Sequence, residues 1–212
     1  MVRRQRTVDL ALEHAIAIMT ERGVGGLTVS EVARRMAVQP PSLYKYFDSL
    51  HAMYDQLFAL GLTEYWNAVS GAVAADVGWE RRLRAAVRAS VEWSVNHPAL
   101  AQLMFWRPVP DFTPSPQTFA ASAEQMALTR NELAAAVEHG ELAAGTDLDE
   151  ALRMLTVVVS GLISQQMANQ PGASYAEGVF SQLTDHAVDM YLGHYRSGAA
   201  GQSNQEASHA NP

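Results

Sequence analysis

Apolar residues recur along this chain at helical spacing, three or four apart, and no segment alternates convincingly as a strand. Val8, Leu12, Ala15, Ile16 and Met19 predict an amphipathic helix over about 7–22. Thr7 fits its N-cap, and Gly23 falls where a left-handed residue ends a helix. Thr28 stands three residues before Glu31, the capping-box spacing that satisfies two free N–H groups reciprocally. A second short helix is predicted from there, with Val32, Ala33 and Met36 inward and Arg34 and Arg35 outward. Ala37-Val38-Gln39 reads as a turn, with Val38 filling the space between two helices. Pro40 and Pro41 fit the first turn of a third helix, where a missing N–H costs little and φ is already set. In it Leu43 and Phe47 face the core, leaving Ser42, Tyr44, Lys45 and Tyr46 on other faces.

Asp48 or Ser49 then starts a fourth helix, predicted to run to about Ser70 and weakened locally by Gly61, with 71–78 as a connection. Further helices are predicted over about 80–96, ending at His97-Pro98, then over the short apolar ALAQLMFW segment, about 117–139, 148–169 and 174–195. The four prolines of RPVPDFTPSPQ exclude regular structure there, so an extended loop is expected. The helix over 148–169 is apolar on most sides and must be covered nearly all round, by its own subunit or a second one. The fold class is all-α, an N-terminal three-helix helix-turn-helix domain (1–48) followed by a larger helical domain (49–196). The polar stretch 197–212 is expected to be a disordered tail.

A chain of 212 residues with 48% hydrophobic content can bury a sizeable core. It has no cysteine, which removes disulfides, thiolate metal sites and thiol redox chemistry. Asp9, Glu13 and His14 interrupt the apolar stretch after the basic N-terminus, so a signal peptide is not expected, and no uninterrupted apolar run suggests a membrane helix. A cytoplasmic protein with no membrane association is the plain expectation. The net charge of −7 argues against nucleic acid until it is divided. Residues 1–50 hold seven Arg and Lys against five Asp and Glu, and the acidic excess lies wholly in the rest. A basic first segment on an acidic body suits a protein that meets phosphates with one end.

Nothing assembles into an enzyme: there is no Gly-rich phosphate loop, no GxSxG elbow and no HxxxH pair. His186, Asp189 and His194 are too loosely spaced for a metal site and read as ordinary surface residues, so neither metal nor cofactor is expected.

Thr28, Glu31-Val32-Ala33, Val38 in the turn and Ser42-Leu43-Tyr44-x-Tyr46-Phe47 resemble the TetR family of bacterial transcriptional regulators over roughly 7–60. The later helices are similar only in number, length and spacing. The resemblance implies a homodimer on a palindromic double-stranded DNA operator, and a helical body that binds a small hydrophobic ligand and dimerises. Three positions depart from the family pattern. Ala37 replaces the usual Gly of the turn, Gln39 the usual Ser or Thr cap, and Leu50 the usual Lys that follows the Tyr-x-Tyr-Phe run.

A recognition helix lies in the major groove with its N-terminal residues at base edges. Gln39, Ser42 and Lys45 are assigned to base edges, Gln suiting adenine and Lys suiting guanine. Tyr44, Tyr46 and Thr28 suit phosphate oxygens, and Pro40 and Pro41 a thymine methyl. Arg3, Arg4 and Arg6 are expected to form a flexible basic arm that adds non-specific attraction. The ligand cavity implied by the resemblance is assigned to Trp66, Trp93, His97, Met104, Phe105, Trp106 and Met126. The dimer interface is assigned to the last two helices, packed as a four-helix bundle: Leu155, Val159 and Leu162, with Phe180, Leu183, Ala187, Met190 and Tyr191. The rival is a helical protein-binding adaptor, or a regulator with no small-molecule ligand; neither gives a reason for the Tyr-x-Tyr pair beside an arginine-rich terminus.

Overall fold

A computed structural model of the protein describes residues 2–196, so the tail expected at 197–212 lies outside the described residues. Among the described residues the secondary structure is helical throughout. The helices are α1 (Val2–Arg22), α2 (Val29–Arg35), α3 (Pro40–Leu43), α4 (Leu50–Ala74), α5 (Trp79–Asn96), α6 (Pro98–Trp106), α7 (Pro116–Glu138), α8 (Leu148–Asn169) and α9 (Thr184–Arg196), with short 3₁₀ turns at Val24–Gly26 and Ser181–Leu183. The chain packs as two compact units. The first takes residues up to Tyr65 together with His97–Ser122, and the second takes Trp66–Asn96 and the residues from Ala123 onward.

In the first unit α1 begins five residues earlier than its apolar period predicts. Thr7 Oγ1 donates to the Arg3 carbonyl at 3.0 Å and the Gln5 amide to the Asp9 carboxylate at 2.8 Å, both helical four-residue links. Thr7 is therefore an interior helix residue, not a cap. Arg3, Arg4 and Arg6 are helical residues on an exposed surface, not a flexible arm. Ala11, Leu12, Ala15, Ile18 and Met19 are its buried face; Ile16, expected inside, is only partly covered. Gly23 has φ 78, with an extended ψ of 161 that passes the chain straight into the 3₁₀ turn. The Tyr54 hydroxyl of α4 donates to the Val24 carbonyl at 2.6 Å and fixes that turn.

Helix α4 starts where the Ser49 hydroxyl accepts the Ala52 N–H at 3.0 Å, and it continues four residues past the predicted end, so the connection shrinks to 75–78. Gly61 does more than weaken it. A Cβ there would lie 2.6 Å from Met104 Sδ, so its absence lets α6 approach closely. The proline-rich loop after α6 is irregular as expected. Phe112 anchors it among His51, Tyr54 and Phe58, with ring centroids 6.0, 5.6 and 6.5 Å away. Asp55 accepts the Ser115 N–H at 2.7 Å, tying α4 to the start of α7.

The second unit closes around Leu83, Val87 and Val91 of α5, Leu133 and Ala136 of α7, Leu155, Leu162 and Ile163 of α8, and Val188, Tyr191 and Leu192 of α9. Asp147 caps α8, accepting from the N–H groups of Asp149 and Glu150 at 2.9 and 3.0 Å. Those Glu150 and Asp149 donors hold the Asp147 carboxyl below its ordinary value. Helix α8 has the length and apolar content of a membrane-crossing helix, but Ala151, Leu155, Leu162 and Ile163 pack into this core and charged residues fill its first turns. Arg84 joins Glu80 to Asp189, and Arg88 pairs with Asp185, lacing α5 to α9.

The last helix is shorter than predicted. Residues 170–180 are irregular and pass into the 3₁₀ turn at Ser181–Leu183, and α8 supplies them with side-chain hydrogen bonds. The Gln166 carboxamide oxygen accepts from the Phe180 and Ser181 N–H groups at 3.1 and 3.2 Å, and Gln170 accepts from Val179 at 2.8 Å. Gly178 sits against this carboxamide so closely that any Cβ would overlap it.

Candidate nucleic-acid interface

The interface candidate is α2, the turn after it, and α3. At the head of α2 the Thr28 hydroxyl accepts the Glu31 N–H at 3.2 Å, half of the expected capping box. The reciprocal half is missing, because arginines occupy the Glu31 carboxylate. It accepts from Arg34 Nε and a terminal Arg34 nitrogen at 2.8 Å each, from Arg22 at 3.1 Å and from Arg35 at 3.3 Å. Arg35 also grips Glu21 of α1 with two bonds, at 2.9 and 2.5 Å. Hydrogen bonds from Arg34, and after it Arg35, draw the Glu31 carboxyl down to about 2 despite partial desolvation.

Helix α2 ends in a Schellman turn. The Val38 N–H reaches the Ala33 carbonyl at 3.0 Å and the Ala37 N–H reaches Arg34 at 3.2 Å. Ala37 adopts φ 56, the left-handed conformation for which glycine is the ordinary residue. Val38 is 38% exposed and does not plug the helix pair. The turn directs it to solvent, and Val29, Val32, Leu43 and Phe47 are the buried residues there.

Pro40 and Pro41 occupy the first positions of α3, and Gln39 caps it through its backbone without a side-chain bond. Helix α3 is a single turn. Tyr44, Lys45 and Tyr46 lie beyond its regular part, in a turn closed by the Tyr46 and Phe47 N–H groups on the Leu43 carbonyl at 2.9 and 3.0 Å. The expectation that these three residues sit on a regular third helix is thus corrected. The tight wrap still buries Leu43 and Phe47 and leaves Gln39, Pro41, Lys45 and Tyr44 (51%) exposed. Pro40, Ser42 and Tyr46 are half-buried, and Thr28 is exposed. The Arg4 guanidinium stands 5.8 Å from the centre of the Tyr46 ring, which brings the start of α1 to the same surface as the reader turn.

Sequence reasoning missed the carboxylate cluster. The spacing of Glu31 from Arg34 and Arg35 was a usable signal, but the joining of Glu21 and Arg22 to it depends on how α1 packs on α2.

The residues assigned to a ligand do not all fall in one unit. His97, Met104, Phe105 and Trp106 belong to the first; Trp66, Trp93 and Met126 belong to the second. Met104 and Trp93 are buried, whereas Phe105 and Trp106 are exposed, Phe105 lying edge-on to Tyr65 at 5.8 Å. Of the residues assigned to the dimer, Leu155, Leu162 and Tyr191 are buried in their own unit's core. Val159, Phe180 and Ala187 are half-buried, and Leu183 and Met190 (67%) are open. Met154 and Val157 (62%) on α8, which the sequence did not single out, are open as well.

Residues 11–57 match the model of the bacterial regulatory proteins of the tetR family, and residues 83–191 match the tetracyclin repressor-like C-terminal domain. An uncharacterised HTH-type transcriptional regulator of Bacillus subtilis, YobS, is 28% identical over 92 residues, which is 43% of this chain and 48% of that one. The negative transcriptional regulator of the Staphylococcus aureus biofilm operon icaADBC, IcaR, is 33% identical over 48 residues, 23% of this chain and 26% of that one. The chain thus spans half or less of these curated relatives. Among solved structures, the regulator FadR of Bacillus subtilis, in complex with stearoyl-CoA, superimposes with a TM-score of 0.69 at 13% identity, covering 86% of this chain and 96% of that one. With its N-terminal and C-terminal halves both matching family models, on an all-helical fold that carries a helix-turn-helix, the chain belongs to the TetR family of transcriptional regulators.

Proposed function

We propose that the protein is a repressor that binds a palindromic operator as a homodimer and is released from it by a small hydrophobic ligand. The observation that carries the DNA half is the sorting of side chains around the reader turn. Leu43 and Phe47 are buried while Gln39, Tyr44 and Lys45 stand open, with an arginine set over Tyr46. In this proposal Gln39, Ser42 and Lys45 meet base edges, Pro40 and Pro41 meet a thymine methyl, and Thr28, Tyr44 and Tyr46 hold phosphates. Arg3, Arg4 and Arg6 supply attraction from the surface of α1.

Dimerisation is supported by two open apolar stripes. Met154, Val157 and Val158 with Gly161 follow one face of α8, and Ala187 and Met190 follow one face of α9, with Leu183 of the preceding 3₁₀ turn beside them in sequence. One head reads few bases, so a two-fold pair is needed for a specific site. In the proposed mechanism the ligand favours the conformer whose heads do not span the operator, and its effect equals its differential affinity for the two states. A 1–48 head and a 49–196 body are the functional division this implies.

The test is selection of genomic fragments by the purified protein, followed by titration with salt. A retained palindromic fragment is expected, with log K falling by about 0.9 per log unit of salt for each neutralised phosphate. On that fragment Tyr44→Phe weakens all sequence variants alike, whereas Lys45→Ala relaxes one base position. Failure to retain any fragment overturns the proposal.

A further inference from the structure

We infer that Glu31 sets the selectivity of the DNA-binding surface by withholding Arg22 and Arg34 from phosphate. This rests on α2 and α3 being the DNA-binding element. The cations of the first fifty residues divide into two sets. Arg3, Arg4, Arg6 and Lys45 make no ion pair among the described residues, and all are exposed. Arg22, Arg34 and Arg35 all converge on Glu31, at 3.1, 2.8 and 3.3 Å. Glu31 is the carboxylate they share, and its own side chain is only 13% exposed beneath them.

In a helix-turn-helix the first helix of the pair crosses the phosphate backbone. Arginines on the outer face of α2 would ordinarily grip that backbone, and such contacts raise affinity for every sequence equally. A guanidinium already bound twice by a carboxylate, as Arg34 is, has to exchange one charge-assisted partner for another before it neutralises a phosphate. The carboxylate left behind would then face the same phosphates. Its low pKa keeps it ionised throughout the physiological range, so the restraint does not lapse. Arg34, 68% exposed and held by Glu31 alone, is the arginine with most to gain from release. Arg35 stays anchored by its two bonds to Glu21 even without Glu31.

The test uses the full-length protein and a random-sequence DNA duplex, followed by fluorescence anisotropy across a range of salt. Glu31→Gln is expected to steepen the slope of log K against log salt by about 0.9 for each of Arg22 and Arg34 recovered. Each recovered contact raises affinity for random DNA about eightfold between 1 M and 0.1 M salt. Arg34→Gln in the parent leaves the slope unchanged, and in the Glu31→Gln background it removes about 0.9. A parental slope that drops with Arg34→Gln overturns the inference, because Arg34 then already neutralises a phosphate. A folded Glu31→Gln protein with the parental slope overturns it as well. Should Glu31→Gln fail to fold, the Arg34→Gln result in the parent decides alone. A parent that binds no duplex even at low salt refutes instead the assignment of α2 and α3 to DNA.

Discussion

Replacing Ala37 by glycine should stabilise the helix-turn-helix. Ala37 has φ 56 and closes the Schellman turn, with its own N–H on Arg34 and that of Val38 on Ala33. Holding an L-residue in the left-handed region costs about 1–2 kcal/mol, because Cβ crowds the following carbonyl oxygen. Glycine removes that strain but adds freedom to the unfolded chain, which offsets about 0.4–1 kcal/mol. The Ala37 side chain is exposed, so losing its methyl forfeits little burial. The net gain is about 0.5–1 kcal/mol.

Urea unfolding of the full-length protein, followed by far-ultraviolet circular dichroism, measures the gain as a raised midpoint at constant slope. Thermal unfolding should rise by a few degrees, as expected for a unit of this size. The control is Ala37→Val, whose β-branch is still less compatible with positive φ and should lower the midpoint. An Ala37→Gly protein that is less stable than the parent would mean that the turn does not hold the left-handed conformation. So would an Ala37→Val protein that is unchanged.

Met190→Asp on α9 paired with Leu183→Asp in the turn before it puts charges into two open apolar positions; light scattering should show a monomer in place of the proposed dimer, with the fold retained. Leu155→Asp, by contrast, should unfold the second unit. Gln166→Leu leaves the Phe180 and Ser181 N–H groups without their acceptor; a loss of about 2 kcal/mol or more is expected in chemical denaturation, with faster hydrogen exchange at those two amides. Glu31 is held at about 2 when folded, below its unfolded value. The stability it contributes is complete above about pH 4.3 and is lost as pH falls through about 2, so acid unfolding of Glu31→Gln should vary less with pH in that window than the parent's.

The helical period made the fold legible, and so did local chemistry. The proline pair at 40–41, the Thr28 cap and the inward Leu43 and Phe47 all stand where the sequence puts them. Each is decided by residues within one or two turns. What the sequence concealed depends on tertiary partners. From 174 to 183 the chain carries apolar residues at helical spacing, yet Gln166 of α8 and its C-cap Gln170 take up the N–H groups of residues 179–181, and the regular helix starts only at Thr184. On α8, apolar residues on nearly every side left period alone unable to separate the core stripe of Leu155 and Leu162 from the open stripe of Met154 and Val157. Arg3, Arg4 and Arg6 looked like an arm because the helical apolar period begins only at Val8, and the polar pairs Arg3–Thr7 and Gln5–Asp9 extend the helix ahead of it.

The reader itself is lightly built, which has a consequence for how affinity must arise in the proposed dimer. Ala37 strains the turn, Gln39 gives α3 no side-chain cap, and α3 holds a single regular turn before Tyr44. Leu50 stands where a lysine would add a phosphate contact, and Glu31 keeps three arginines engaged. Under the proposed function each of these features weakens one head on DNA, the first two by lowering preorganisation. A weak head is useful only if a second one acts with it, since linking two sites turns the second contact into an intramolecular event. Weak single heads therefore sharpen the dependence on half-site spacing. In the proposed mechanism a ligand that changes the separation of the heads by a small amount then removes most of the operator affinity, because neither head retains enough on its own to hold the DNA.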